Sequence, residues 1–339
     1  MRRLTYTLIS IIAVVIVIAI AFICKNDNLN HQIVNSGDTP ENKVQKITVS
    51  EVTHSVFYAP QYVAINLGFF KEEGLEIELI NGGGANNVMT AVLSNQVDIG
   101  FAGPEAAIYV YNEGASDYTE VFAQLTKRDG SMLVAREKIS DFNWSMLKGK
   151  HILPGRTGGV PYMTFEYVLK QNGINPKEDL NLDTSISFDA MTSAFVSGTG
   201  DFVTVFEPTA SSLELNNQGY IVAAVGASTE EIPYTSYFAK KSYIENNKDI
   251  IDKFKKALNK GLEFVNNNEP DVVALVIHNQ FKDESLNNLT TMIKRYKDYD
   301  CWYNDTHIKE IAYQNLEQVM LDNSLIENKI DFNILVNND

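Results

Sequence analysis

Cysteine is scarce in this 339-residue chain, which contains only Cys24 and Cys301. Cys24 lies at the end of an N-terminal apolar run. Cys301 is therefore the single cysteine of the remaining chain, and no disulfide can form within that part. We expect Cys301 to be a packed or surface thiol rather than a nucleophile.

Positive charge is also in short supply, with 28 Lys and Arg against 43 Asp and Glu and a formal net charge of −15. A nucleic-acid partner is not expected, because phosphates need a basic surface to meet them. The acidity does not exclude an anionic ligand, since a local nest of backbone N–H groups can outweigh distant surface charge.

Motifs for catalysis are missing from the sequence. The five histidines are scattered, without the His-Glu-x-x-His or Cys-x-x-Cys spacing of a metal site. There is no G-x-S-x-G elbow or Walker loop, and Gly82-Gly83-Gly84 lacks the G-x-G-x-x-G spacing. The residues therefore give no sign of an enzyme, a metal or a cofactor, although a site assembled from distant segments would leave no such spacing.

The N-terminus has the pattern of a targeting segment. Arg2 and Arg3 precede an apolar run from Leu8 to Cys24, and a polar stretch follows. This order is typical of an export signal or of a single membrane anchor over 1–24. Cys24 stands where a lipoprotein carries its acylated cysteine, but Ile23 departs from the small residue usual before it. Lipid attachment and an uncleaved anchor both remain open, and either would tether the chain outside the cytoplasm.

The rest of the chain predicts a linker followed by an α/β body. Residues 25–45 are rich in Asn, Asp, Gly and Pro, which indicates a flexible linker. From Ile47 onward, short apolar strands alternate with helices, and this alternation predicts largely parallel sheets. Near the C-terminus, one face of a helix over 250–265 is apolar.

Glycine-rich loops recur between strands and helices. Gly82-Gly83-Gly84 separates the alternating strand Leu75–Leu79 from an apolar helix, and Val97–Phe101 runs into Gly103-Pro104 and another apolar helix. Each helix start presents free backbone N–H groups that can meet a small polar or anionic ligand. One such loop can be a simple turn, but several in one chain favour a small-ligand cleft.

Four motifs in order carry a resemblance to a known family: Tyr62–Leu75 (YVAINLGFFKEEGL), Gly82–Gly84, Val97–Gly100 and Phe206–Pro208. With them, residues 47 to about 300 resemble the solute-binding proteins of ABC importers. The branch concerned handles nitrate, taurine, aliphatic sulfonates and thiamine-pyrimidine precursors.

The resemblance implies a periplasmic-binding-protein type II fold. Two α/β lobes with mainly parallel sheets would be joined by two crossover strands, with the ligand trapped between them. Applied to this chain, lobe 1 would comprise 46–136 and 236–339, and lobe 2 would comprise 137–235.

Candidate ligand-binding residues in lobe 1 stand at strand ends and helix starts, where the loops of such a fold face its crevice. Phe57 and Tyr58 suit core packing as well as ligand contact, and the helix-start residues offer backbone N–H donors. The candidates are Ser55, Phe57, Tyr58, Gly84, Asn86, Gly103, Pro104 and Glu105.

In lobe 2, Arg156, Thr157 and Gly158 precede a helix and could seat a sulfonate, carboxylate or phosphate, although a surface position suits Arg156 equally. Aromatic residues could sandwich a planar ring together with Phe57 and Tyr58. These aromatic candidates are Tyr162, Phe188 and Tyr234.

Glu207 follows the apolar strand Phe202–Phe206 and would prefer an amine or amidine if it faces the cleft. The alternative is that its carboxylate stabilises its own turn. In the first case the ligand carries an amine, as aminopyrimidines and taurine do, and is not a bare anion such as nitrate.

The resemblance implies an extracytoplasmic, non-enzymatic protein that captures a small-molecule ligand by lobe closure and delivers it to the transmembrane subunits of an ABC permease. We expect a monomer without a cofactor. Two alternatives remain. One is a pyrimidine-synthase-like enzyme of thiamine biosynthesis, whose cysteine-rich signature is missing here. The other is the ligand-sensing subunit of a receptor, which would need a separate partner chain.

Replacing Cys24 by Ser should distinguish the two kinds of tether. If Cys24 is acylated, Cys24→Ser abolishes incorporation of labelled fatty acid and leaves the body folded. Metabolic labelling followed by membrane fractionation measures both properties. Membrane retention without label in either form would instead establish an uncleaved anchor.

Overall fold

Two five-stranded sheets organise the structure. The computed structural model describes residues 44–339, so the predicted targeting segment and nearly all of the predicted linker lie outside the described residues. The strands are β1 (Gln45–Glu51), β2 (Leu75–Asn81), β3 (Ile99–Ala102), β4 (Thr119–Thr126), β5 (Met132–Ala135), β6 (His151–Leu153), β7 (Asn181–Leu182), β8 (Phe202–Val205), β9 (Tyr220–Ala224) and β10 (Thr235–Lys240).

The helices cover the faces of these sheets. They are α1 (Ala59–Asn66), α2 (Phe69–Glu72), α3 (Ala85–Leu93), α4 (Glu105–Asn112), α5 (Val160–Gln171), α6 (Met191–Val196), α7 (Thr209–Leu215), α8 (Lys241–Asn246), α9 (Lys248–Asn267), α10 (Pro270–Ile277), α11 (Leu286–Asp298), α12 (Glu310–Asp322) and α13 (Phe332–Leu335). Within residues 44–339, no helix combines the length and apolar character needed to cross a membrane.

In each sheet, one strand runs against the other four. The first sheet has the order β2-β1-β3-β10-β4, and β10 is antiparallel to both of its neighbours. The second has the order β7-β6-β8-β5-β9, and β5 is antiparallel to both of its neighbours. The remaining strands of each sheet share one direction, which confirms the mainly parallel, two-lobed α/β fold. Their carboxyl ends therefore meet at one edge of each sheet.

Two connections join the sheets, and each ends in the antiparallel strand of the sheet it enters. Residues 127–131 lead from β4 to β5, and residues 225–234 lead from β9 to β10. The predicted lobe boundary at 136 would place β5 in the first lobe, but Met132 pairs with Val205 of the second sheet. The chain therefore changes sheets at 127–131, before the predicted boundary. The second predicted boundary, at 235/236, lies beside the first residue of β10.

The C-terminal helices return to the first sheet. Ile250, Phe254 and Leu258 of α9 are buried, as the predicted apolar face requires. Burial of such a side chain contributes about 1.5–3 kcal/mol. By contrast, α12 packs against α5 of the second lobe, and the Lys170 ammonium donates to the Asn323 side chain over 2.9 Å. The segment assigned to lobe 1 by the sequence thus contacts both lobes.

The two connections touch where Gly226 lies against Asp129. A Cβ atom at Gly226 would be 2.1 Å from the carbonyl oxygen of Asp129. The Asp129 carboxylate is buried and accepts hydrogen bonds from the Ser131 N–H and the Thr164 hydroxyl of α5. No side chain larger than hydrogen fits at Gly226 without separating the connections.

Gly226→Ala should therefore destabilise the protein by at least the 1–3 kcal/mol typical of overpacking. The control is Gly159→Ala, where the added Cβ would have its nearest neighbour at 3.5 Å. Urea unfolding of both variants measures the loss. Equal unfolding midpoints for the two variants would contradict the close approach of the connections.

Candidate functional site

A cavity of about 210 Å³ lies between the two sheets. Its lining includes loops after β1, β2 and β3 of the first sheet and the loop after β6 of the second. This is the edge where strand carboxyl ends meet and where ligands bind in open α/β sheets. This volume is below the roughly 300–1,000 Å³ of pockets for drug-sized ligands, so the cavity suits a small organic molecule.

Three helices begin at the wall of this cavity. Gly84 precedes α3, Pro104 precedes α4 and Gly159 precedes α5, and none of these three described helix starts has a side-chain cap. Gly84 has φ +136°, a conformation that favours glycine. The first N–H groups of α4 donate to the Gly103 and Pro104 carbonyls, so the starts of α3 and α5 are left to donate to a ligand, and the helix dipole adds partial positive charge there. The arrangement favours electronegative atoms of a ligand.

Aromatic side chains form another part of the wall. Tyr58, Phe188 and Tyr234 line the cavity, together with Phe206. Phe57 lies behind them, fully buried, with its ring stacked on Phe206 at a centroid distance of 5.6 Å. Of the two roles open to Phe57 and Tyr58, Phe57 has the core position and Tyr58 the cavity position.

Glu105 and Arg156 face each other across the cavity wall. Glu105, the first residue of α4, is 1% exposed, and its Oε1 lies 3.6 Å from Nη2 of Arg156 in the second lobe. Burial raises the pKa of Glu105 to about 7, although Arg156 and nearby backbone N–H groups oppose the rise. Within residues 44–339, its Oε2 atom has no hydrogen-bond partner.

Glu207 is tied to its own surroundings. Its carboxylate accepts hydrogen bonds from the Ser211 N–H at 2.9 Å and the Ser211 hydroxyl at 3.0 Å, and Arg295 is its ion-pair partner. Burial raises the pKa of Glu207 above its ordinary value, against the effect of Arg295. The expectation that this carboxylate faces a ligand amine is corrected accordingly, because the cation that faces it belongs to the protein.

Ser55 also has a structural contact, since its hydroxyl donates to the Glu207 carbonyl oxygen over 2.5 Å. Ser55 and Glu207 line a second, smaller cavity of about 160 Å³ beside the first. His54 lies on its wall, with Nδ1 2.7 Å from Oε1 of the buried Glu51. Burial alone would lower the pKa of His54, but the hydrogen bond and charge of Glu51 outweigh it and the pKa is raised.

The remaining predicted residues lie near the main cavity without forming its wall. Thr157 is exposed, and its hydroxyl donates to the Thr184 hydroxyl. The Gly158 carbonyl accepts from the Tyr109 hydroxyl over 2.9 Å, and the Tyr162 hydroxyl donates to Glu166. Pro104 is buried at the start of α4.

The structure brings together eight predicted residues in the main cavity, namely Tyr58, Gly84, Asn86, Gly103, Glu105, Arg156, Phe188 and Tyr234. Sequence reasoning missed lining residues such as Val52, Thr53, Gly155, Asp189, Phe206 and Thr235. Val52 and Thr53 directly follow β1, so the rule that strand ends face the crevice could have found them. Among the described residues, no cluster of three His, Cys, Asp or Glu side chains is placed to hold a metal ion.

Comparison with known proteins agrees with this architecture. The chain is 42% identical over 297 residues to the Bacillus subtilis (strain 168) protein named "Putative binding protein YtlA", covering 88% of this chain and 89% of the relative. The structure resembles the alkanesulfonate-binding protein SsuA from Xanthomonas axonopodis pv. citri bound to MOPS. That match has 12% identity and a TM-score of 0.69 and covers 89% of this chain and 100% of SsuA.

The same fold also occurs in an enzyme. The desulfurization enzyme DSZB matches at 12% identity with a TM-score of 0.60, covering 87% of this chain and 97% of DSZB. At such identities the likeness extends to the fold alone. A family model described as NMT1/THI5 like matches residues 56–271, and this chain belongs to that family.

Proposed function

We propose that this chain is the extracytoplasmic solute-binding component of an ABC importer and captures a small amine-bearing organic nutrient. The candidate ligands are an aminopyrimidine, such as a thiamine precursor, and a sulfonate such as taurine. The observation that carries the proposal is the cavity between the two sheets, whose wall both lobes supply. The binding role in the name of the B. subtilis relative and the sulfonate-binding role of SsuA agree with it.

The lining offers distinct contacts to different parts of a ligand. Tyr58, Phe188 and Tyr234 can pack on a planar ring or an alkyl chain. Arg156 and the start of α5 offer a guanidinium and backbone donors to a sulfonate, carboxylate or phosphate. Enclosure between the lobes would remove most of the ligand surface from water.

Capture would proceed by closure of the lobes about 127–131 and 225–234. Contacts between the lobes are already present, among them the Tyr109 hydroxyl of α4 on the Gly158 carbonyl and the ion pair of Glu207 with Arg295. A ligand that contacts both lobes adds further contacts between them and therefore favours the closed state. Closure of this kind is a hinge transition. The ligand would then pass to the permease subunits, with the N-terminal segment or a lipid at Cys24 holding the protein at the membrane.

Catalysis on the same fold receives no support from the cysteine. Cys301 is buried, and burial raises the pKa of its thiol far above the ordinary value, so it stays protonated and unreactive. Binding without chemistry accounts for the cavity lining.

Arg156→Ala should weaken acidic ligands because it removes a charge-assisted hydrogen bond, with an expected loss of about tenfold or more in affinity. The wild-type chain is first screened by thermal shift against sulfonates, aminopyrimidines, flavin-like compounds and carboxylates. A ligand at a hundredfold excess over its Kd should add about 2.7 kcal/mol of stability.

The control for Arg156→Ala is Lys150→Ala, which removes an exposed cation from the same lobe. Calorimetric titration with the best acidic ligand compares the two variants. Equal affinities would remove Arg156 from the site, and a screen without any stabilising compound would contradict the proposed ligand classes.

Glu207→Gln should reduce stability rather than ligand affinity, because it removes a buried charge that pairs with Arg295. Hydrogen bonds to charged groups contribute about 1.5–3 kcal/mol, which sets the expected loss in urea unfolding. Arg295→Met should cost a similar amount, and the double variant should cost less than the sum of the two, as coupled residues do. Normal stability of Glu207→Gln with a tenfold loss of affinity would instead return Glu207 to the ligand.

A further inference from the structure

The buried carboxylate of Glu105 differs from the other carboxylates around the cleft. Each oxygen of Glu51, Asp129 and Glu207 has a hydrogen-bond or ion-pair partner within the protein. Glu105 is as deeply buried as they are, and its Oε2 has no partner among the described residues. An unsatisfied buried acceptor is costly, and Glu105 is a residue of the cavity wall, so a ligand donor that reaches Oε2 would supply the missing partner.

The position of Oε2 depends on Gly103. A Cβ atom at Gly103 would be 2.0 Å from Oε2, and it would also lie 2.9 Å from Val160. Glu105 and Gly103 both line the main cavity, and Val160 lines it from the other lobe. The absence of a side chain at Gly103 lets the carboxylate lie along the wall where the two lobes meet.

We propose that Glu105 determines ligand specificity, with Oε2 accepting a hydrogen bond from a nitrogen donor of the ligand: an ammonium, an amidine or an exocyclic ring amine. This inference rests on the proposed function and assigns the amine-binding contact to a residue for which the sequence suggested only a backbone donor. A ligand oxyanion at this point would meet a carboxylate and be repelled, whereas a ligand N–H group would give Oε2 its hydrogen-bond partner.

Several groups surround Glu105 and bear on its charge. Arg156 from the loop after β6 is the cation on its Oε1 side, and backbone N–H groups of Ala106 and Val160 favour its ionised form. The phenols that face it are Tyr109 of α4, Tyr313 of α12 and Tyr234 of the second connection, and the charge of Glu105 contributes to raising the pKa of each. With a pKa of about 7, Glu105 is only partly ionised at neutral pH. A cationic donor binds the ionised form, so binding should release a proton.

Two matched pairs of probes test this assignment on the full-length chain. Taurine and propane-1-sulfonate differ by a methyl group in place of the ammonium, and 4-aminopyrimidine and 4-methylpyrimidine differ in the same way at a ring carbon. Calorimetric titration measures each probe against wild type, Glu105→Gln and Glu113→Gln. Glu113 is an exposed glutamate at the other end of α4 and serves as the matched control.

In whichever pair of probes binds to the wild type, we expect Glu105→Gln to lower the affinity for the amine member about tenfold or more. Hydrogen bonds to charged groups are the strong ones. The methyl member should change less than threefold, and Glu113→Gln should match wild type for both members. The amide retains the shape of the side chain and removes a buried charge, so the unfolding midpoint without ligand should stay equal or rise.

The pH dependence provides a readout that a purely structural role would not give. Wild-type affinity for the amine probe should fall as the pH is lowered from 8 to 6, because Glu105 becomes protonated in this range while an alkylammonium keeps its charge. The affinity of Glu105→Gln should be flat over the same range. A slope that persists in Glu105→Gln would assign the titration to another group, such as His54, and overturn the inference.

The outcomes separate this inference from the proposed function. Binding of an amine probe with equal affinity by wild type and Glu105→Gln overturns the role of Glu105 and leaves the proposed function standing. Preference for the methyl member in both pairs overturns the role as well. Failure of all four probes to bind wild type contradicts the amine-bearing ligand class and the inference together.

Discussion

The backbone of Gly226 lies against that of Asp129, where the two connections between the sheets pass each other. Each connection leads directly into the strand that runs against the rest of its sheet, so this contact lies where the chain passes from one lobe to the other. The Asp129 carboxylate then binds Thr164 on α5, so the same short segment also orients a helix whose first turn forms the cavity wall. Asp129 thus links the close approach of the two connections to the helix that begins at the cavity wall.

Charges in the cavity wall act on a ligand more strongly than the charges on the protein surface do. The chain has a net charge of −15, yet the helix starts at Gly84, Pro104 and Gly159 turn partial positive charge toward the cavity. Distant surface carboxylates are screened by water and salt over about 10 Å, whereas groups in the wall are not. A buried carboxylate in this setting has either found its partner within the protein, as Glu207 has in Arg295, or lacks one, as Oε2 of Glu105 does.

Local patterns predicted the elements well, because their signals are local. The strand predicted over Leu75–Leu79 lies within β2, and the apolar face of α9 is buried as its periodicity indicates. The boundary at 136 failed for a physical reason. No local pattern marks the change of sheet, and only the pairing between Met132 and Val205 reveals it. Strand partners distant in sequence leave no trace in a single sequence.

The candidate site, too, could be predicted only in part. Position in the fold was predictable, since strand ends and helix starts face the crevice by topology, and eight predicted residues line the cavity. The direction of each side chain was not predictable, because it depends on what it meets across the fold. Arg295, 88 residues away from Glu207 in sequence, removes that carboxylate from the main cavity, while no comparable cation binds Oε2 of Glu105 among the described residues. The two glutamates look alike in sequence, each beside a proline where a strand gives way to a helix. Their partners decide which one is left for a ligand, so specificity in this fold is determined by long-range contacts that motif resemblance does not carry.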